Sequence, residues 1–406
     1  MKKLVLKNGI KVIYKKIEGE ITSFSIALNA GALEDNGAKK GLAHVVEHMV
    51  SKGTKNRTEQ EINMQCDELF GFENAMTNYP YVIYYATCLS ADLENAFELY
   101  SDILLNPTFP EKGFKEEINI IKEELKEWKD DINQYCEDEL LFNSFKNRRI
   151  KDLIIGNEES LNSITLEDVR NFYNKYYCPE NMVISVVSFV DFEFVIKHLE
   201  KYFGSFSRKF QGIEEEYYED NKSSIFTKVK ENIEGAKIQF LFPIHDLSSR
   251  EIDILRLFNV EFGEGTSSIL FDEVRTKNGL VYDISTRIDN SRGIKLFYIS
   301  MACSKENVSK CIDLVNNKIE ELKNCSGYFT KDKMLKLCRR LKFKRALALE
   351  QSIRLSMQLA LYEIMYGNAN KVFDEVKGLE NIKEKEIVQV IIKVFQKPSI
   401  QILQPK

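Results

Sequence analysis

Gly41-Leu42-Ala43-His44-Val45-Val46-Glu47-His48-Met49 is the stretch from which the rest of the chain can be read. Leu42, Val45, Val46 and Met49 fall at i, i+3, i+4 and i+7, so the segment is expected to be a helix with one apolar face. His44, Glu47 and His48 share the opposite face. Spacing of i, i+4 brings two imidazoles to where a single ion can bridge them, with Glu47 in reach of a water on that ion. The order H-x-x-E-H inverts the commoner zinc-protease motif. The chain of 406 residues holds only 4 histidines, two of them here. A chance occurrence has an expectation below about one in a hundred. On face geometry alone, the alternative is a surface helix with two solvent-facing histidines.

Upstream of this helix the chain reads as strands. Asn8-Gly9 between Leu4–Leu6 and Ile10–Ile13 is a hairpin signal, because a tight primed turn needs positive φ. Phe24, Ile26 and Leu28 alternate with small or polar residues and predict a strand ending at Gly31, followed by a charged loop with glycines. Downstream, Phe72–Thr77 and Tyr81–Cys88 read as strands around Asn78-Tyr79-Pro80. Helical patterns run over Ala91–Leu105 and Phe114–Trp128, and Met182–Phe189 reads as a buried strand before a helix at Phe192–Tyr202. The second half repeats this mixture, with a strand at Lys237–Phe242, a helix at Ser249–Phe262, strands near Tyr282 and Lys295, then helices. The reading is α+β. Length divides naturally into two domains, 1–207 and 225–406, joined by an acidic, solvated linker at 208–224 that holds Glu214, Glu215, Glu216, Glu219 and Asp220.

Composition narrows the function. A net charge of -5 argues against nucleic acid as a partner. No apolar run approaches the roughly 18 residues of a membrane span, and Leu4–Leu6 is too short for a signal-peptide core. A cytoplasmic protein is the expectation. The 8 cysteines form no C-x-x-C pair, so they read as reduced, mostly buried thiols rather than a zinc cluster. Gly263-Glu264-Gly265 has no Lys-Ser/Thr after it and reads as a turn, not a phosphate loop.

Two imidazoles do not complete a catalytic zinc site, which usually takes three protein ligands and leaves one position for water. In the helix Phe114–Trp128, Glu117, Ile121 and Glu124 lie at i, i+4 and i+7 beside the stripe Phe114, Ile118 and Leu125. Carboxylates beside a buried stripe are costly unless paired, so both glutamates invite a functional explanation, although a glutamate in a charged helix is ordinarily solvated.

These residues resemble the pitrilysin, insulin-degrading and mitochondrial processing peptidases, which share the inverted motif. In that family a glutamate ligand follows the second histidine by about seventy-six positions, with another important glutamate seven before it. Here 124 − 48 = 76 and 124 − 117 = 7. The resemblance implies His44, His48 and Glu124 as ligands of one Zn²⁺ per chain, Glu47 as base, and Glu117 as a catalytically important carboxylate orienting a ligand histidine. Lys52-Gly53-Thr54 and Arg57-Thr58 continue the likeness. Asn74-Ala75-Met76-Thr77 matches the family's sheet-edge strand, which implies substrate binding by main-chain pairing. Phe271–Arg275 and Gly279–Tyr282 are similar to its carboxy-terminal signature, and imply that Arg275 and Tyr282 hold substrate and the oxyanion.

The likeness covers most of both halves and fits the shorter members. It implies two homologous domains, each a mainly antiparallel sheet packed with helices, and an endopeptidase that hydrolyses peptides or unfolded segments in a chamber between them. It also implies dimers: a homodimer is the simpler expectation, because metal motif and Arg275/Tyr282 share one chain, and a heterodimer with a related chain is the alternative. The sequence departs from the family at Ala32-Leu33, Val82 and Ser188-Phe189, none of them a metal position. A noncatalytic scaffold and a structural zinc site are the competing classes; a base beside three ligands with an open position favours hydrolysis.

Overall fold

The Asn8-Gly9 turn forms in a computed structural model, which describes residues 1–35 and 37–406; Asn36, in the loop expected after Gly31, lies outside the described residues. Gly9 takes φ 101° and joins β1 (Lys2–Val5) to β2 (Lys11–Lys16), with Val5 opposite Lys11. The strands β3 (Ile21–Leu28), β4 (Phe70–Thr77), β5 (Val82–Leu89) and β6 (Met182–Ser188) complete a sheet of order β1-β2-β6-β3-β5-β4. Every pairing is antiparallel except β2 with β6. β4 is an edge.

The second sheet holds β7 (Ile225–Val229), β8 (Ala236–Pro243), β9 (Val281–Asp289), β10 (Leu296–Cys303) and β11 (Ser399–Gln404), in the order β7-β11-β8-β10-β9. Its parallel pair is β7 with β11. Without β1, the first sheet runs β2-β6-β3-β5-β4, so the two orders and the place of the parallel pair coincide. The fold is α+β, with two domains of one topology.

Helices fill the connections: α1 (Leu42–Val50), α2 (Glu59–Leu69), α3 (Leu93–Leu105), α4 (Glu111–Trp128), α5 (Ile132–Ser144), α6 (Glu158–Ser163), α7 (Leu166–Tyr176) and α8 (Phe192–Phe203) in the first half of the chain. The second half has α9 (Ser249–Phe262), α10 (Val308–Lys323), α11 (Lys331–Ala348) and α12 (Ser352–Tyr366). Their starts are chemically marked. Thr58 with Glu61 and Ser248 with Glu251 form capping boxes, which satisfy donors that a helix N-terminus leaves open.

Two helices are exchanged between the halves, and this corrects the expected boundaries. One compact unit comprises residues 1–127, 153–215 and 347–372; the other comprises 128–152, 216–346 and 373–406. The division 1–207 and 225–406 therefore follows the strands but not the helices. α12 lies on β3 and β6 of the first sheet, and α5 lies on β8 and β11 of the second. The reason is visible in the buried polar residues. Alternation in β3 predicts one wet face, yet Ser23 and Ser25 are fully buried. Ser23 Oγ is 2.8 Å from Ser352 Oγ, and Ser356 Oγ donates to Ser25 Oγ (2.9 Å) and to the Ser185 carbonyl (3.2 Å). On the second sheet, Asn143 of α5 donates to the buried Gln401. The linker is corrected as well. Glu219 accepts from the backbone N–H groups of Lys146, Asn147 and Arg148, and the Lys222 N–H donates to the Ser144 carbonyl, so 216–224 packs within the second unit. No helix among the described residues is long and apolar enough to cross a membrane. Seven of the cysteines are buried and all are free, as expected.

Candidate metal centre

α1 is anchored before it presents anything. Gly41 precedes it at φ 91°, and a Cβ there would stand 2.5 Å from the Ile155 carbonyl oxygen, so only glycine fits. The Asp35 carboxylate accepts from the N–H groups of Gly41 (2.9 Å) and Ala43 (2.8 Å), satisfying donors at the helix start. Leu42, Val45, Val46 and Met49 are buried, which is the apolar face the sequence predicts.

The opposite face gathers the predicted residues. His44 Nε2 and His48 Nε2 are 3.3 Å apart, and Glu124 Oε2 from α4 stands 4.0 Å from the first and 3.8 Å from the second. One ligand atom from each of His44, His48 and Glu124 lies within 4.8 Å of the others. The same helix brings Glu117, only 2 % exposed, to His48: Oε2 lies 2.7 Å from Nδ1. That contact leaves the His48 Nε2 lone pair directed at the shared space. Glu47 Oε2 accepts a hydrogen bond from the Thr77 hydroxyl at the end of β4.

Charge is arranged to suit a cation. Burial, together with the neighbouring His48, pushes His44 down to about 3, so it is a neutral donor. For His48, burial is outweighed by the hydrogen bond to Glu117 and by the charges of Glu124 and Glu47, and its pKa is raised. Burial likewise opposes ionisation of Glu117, yet His48 and Lys52 hold it below the usual carboxylate range. Burial raises Glu47 against the Thr77 hydrogen bond, and burial also raises Glu124 against the pull of His48. Two ring nitrogens face each other with Glu124 beside both, and the ligand set fits one divalent ion with N/O preference. The other two histidines are engaged elsewhere: His198 Nδ1 meets the Phe194 carbonyl, and His245 stacks on Tyr218.

Lys52 has no role that the sequence alone assigns beyond the family likeness. Its Nζ is 2.5 Å from Glu117 Oε1 and 2.6 Å from Glu59, so it fixes the carboxylate that orients His48. Lys52 stands just past the end of α1, in the bend after Ser51, so no helical spacing marks it in the sequence. Thr77 was expected only as part of the edge strand and proves also to hold Glu47. Asn74, Ala75 and Met76 lie on β4, whose outer edge pairs with no strand among the described residues.

Arg275 and Tyr282 belong to the second unit. Arg275 lies in the π-helical turn Phe271–Lys277, its guanidinium over the Phe271 ring at 4.9 Å, and it donates to the Tyr282 carbonyl. The Tyr282 side chain is not a packing group: the residue is 84 % exposed.

Comparison with known proteins places this arrangement. Residues 11–158 match the family described as "Insulinase (Peptidase family M16)", and residues 163–341 match "Peptidase M16 inactive domain". An "Uncharacterized zinc protease YmxG" of Bacillus subtilis is 30% identical over 290 residues, 70% of this chain and 69% of that protein. A "Mitochondrial-processing peptidase subunit beta" of Caenorhabditis elegans is 29% identical over 199 residues, 49% of this chain and 43% of that protein. Among solved structures, a "protease from Helicobacter pylori" superposes with TM-score 0.88 at 20% identity, covering 100% of this chain and 99% of the other. A "peptidase M16 inactive domain" from Pseudomonas fluorescens gives 0.90 at 18% identity, with 100% and 98% covered. Sequence likeness to the zinc protease, over more than two thirds of both chains, together with a shared fold, shows that this chain belongs to the insulinase family of peptidases, M16.

Proposed function

We propose that this member is an active zinc-dependent endopeptidase acting on peptides or unfolded protein segments. The observation that carries the reading is the convergence of His44, His48 and Glu124 beside an engaged but chemically free carboxylate, Glu47. The "inactive domain" match falls on residues 163–341, whereas all four of these residues lie in the stretch matched by the insulinase description.

In this reading His44, His48 and Glu124 hold the zinc, which supplies Lewis acidity toward a water and toward the scissile carbonyl. Glu117 and Lys52 keep the His48 ring turned so that Nε2 is the ligand atom. Thr77 fixes one Glu47 oxygen and leaves the other to take the proton of the attacking water. As the C–N bond breaks, Glu47 returns that proton to the departing amine nitrogen. The free edge of β4, at Asn74–Thr77, pairs with the substrate main chain, and Arg275 and Tyr282 supply a cationic and a phenolic donor to the developing oxyanion.

A homodimer in the cytoplasm accompanies this proposal, with a heterodimer with a related chain as the alternative; sedimentation and the activity of the chain alone separate the two. The test is mass spectrometry of products from an unfolded peptide library, with zinc content measured alongside. Cleavage that disappears with a chelator and returns with zinc is the expected result. Cleavage indifferent to chelation, or a zinc-loaded protein that cuts nothing, overturns the reading.

A further inference from the structure

On the sheet face opposite α1, the first unit contains a cavity of about 790 Å³. This is within the usual range for a ligand pocket. Gly71 and Phe72 of β4, Tyr85 of β5, Ile21 of β3, and Ile353 and Met357 of α12 line it. It exists because α12 covers the inner strands β3 and β6 and only partly reaches the outer ones. Phe72 is left 50 % exposed, with its ring 5.9 Å from that of Tyr85. Glu18, Glu350 and Arg354 are exposed at the rim, so charges of both signs flank an apolar floor.

Register ties this cavity to the metal residues. Phe72 pairs with Thr87, whose hydroxyl is 2.8 Å from Ser23 Oγ, itself bonded to Ser352 of α12; Phe72 therefore faces the α12 side. Thr77 lies five residues further along β4, an odd number, and its side chain faces α1, where it bonds Glu47. A peptide paired along β4 with its scissile bond near Glu47 must run past Phe72, about 17 Å away at ~3.3 Å per residue. Its side chain opposite Phe72 on the same face points into the cavity, because cross-strand neighbours share a face.

We infer that this cavity is a remote specificity pocket that takes one large apolar side chain of the substrate, about five residues from the cleaved bond. This rests on the reading of β4 as the substrate-pairing edge. The apolar lining selects the side chain, and the mixed rim favours neither an acidic nor a basic one.

The test uses two unfolded peptides identical except for Phe or Ser five residues from the cleaved bond, made for both sides of that bond. On one side the full-length enzyme should cleave the Phe peptide with kcat/KM about tenfold higher, carried by KM. A Cβ on Gly71 meets nothing within 4 Å, so the backbone there accepts a side chain, and Gly71→Trp is chosen to occupy the cavity. It should bring the ratio close to one, and Ile353→Asp should do the same by a different route. Equal cleavage of both peptides on both sides, or an unchanged ratio in two variants that melt like the wild type, overturns the inference. If the enzyme cuts neither peptide, the same pair is titrated against the Glu47→Gln protein by fluorescence anisotropy. Tighter binding of the Phe peptide, lost in a version also carrying Gly71→Trp, sustains the pocket while the peptidase reading fails. Equal binding sinks the pocket.

Discussion

Between β3 and β4 the first unit places α1 and α2; between β8 and β9 the second places α9 and the turn Phe271–Lys277. α1 buries one face and turns two partly exposed imidazoles and a carboxylate the other way. α9 buries Ile252, Ile254, Leu255, Leu257, Phe258, Val260 and Phe262 all around its axis, with Phe258 and Phe262 packed on Phe395. The helices α4 and α11 are both 18 residues long, and counting from each first residue, Glu117 corresponds to Leu337 and Glu124 to Lys344. Leu337 is buried in the core. One frame thus supports two chemistries. Where polar ligands are kept, each must be held by another polar group, as His48 is by Glu117 and Glu117 by Lys52. Where they are not, a buried leucine stands at the place of Glu117, and a lysine at the place of Glu124 opposes cation binding.

Breaking the first unit's half of this contrast should have the largest effect. His48→Ala should lower bound zinc, measured by elemental analysis, to background and abolish peptide cleavage with it. Glu47→Gln should retain full zinc while turnover falls by about 10²–10⁴-fold; unchanged turnover would remove Glu47 from the mechanism. The role proposed for Tyr282 is tested by Tyr282→Phe, where kcat should drop about a hundredfold with KM nearly constant. A loss confined to KM would make Tyr282 a binding group only. Glu117→Gln should weaken zinc about 10–100-fold in chelator competition, with a smaller change in turnover of the zinc-saturated protein.

The smallest effect concerns the exchanged helices. α12 bonds its sheet through the Ser352 and Ser356 hydroxyls, whereas Asp138 on α5 accepts from the Trp128 indole (2.8 Å) and Gln134 (2.9 Å) and is pushed up to about 6, chiefly by burial. A carboxyl whose folded pKa lies above its unfolded value of 3.8 stabilises the fold fully below that value, and the contribution is lost as pH rises through about 6. The stability difference between wild type and Asp138→Asn should therefore shift by about 2 kcal/mol between pH 4 and 7 in thermal melts. A difference independent of pH would place the ionisation elsewhere.

The parts legible in sequence were those with local period or rare residues. The α1 face could be read because histidines are scarce and the apolar spacing is strict, and α9 was read to its last residue. Glu124 could be assigned as a ligand only through a family spacing, since five other glutamates stand on the same helix. Lys52 and the Thr77–Glu47 bond are tertiary facts with little local signature. Ser23 and Ser25 misled most, because a serine on alternate strand positions reads as solvent-facing. Here small hydroxyls allow a helix from more than 300 residues away, as with Ser23 and Ser352, to settle directly on the strands.

That exchange decides what a single backbone cut can do. A break at 208–224 would not release two self-contained modules: the amino-terminal fragment would carry α5 without the strands it shelters and would lack α12 for its own, and its complement would have the reverse deficit. Each fragment alone should aggregate through an uncovered sheet, while the two produced together should reassemble, so the nicked protein should behave as one particle until it is denatured.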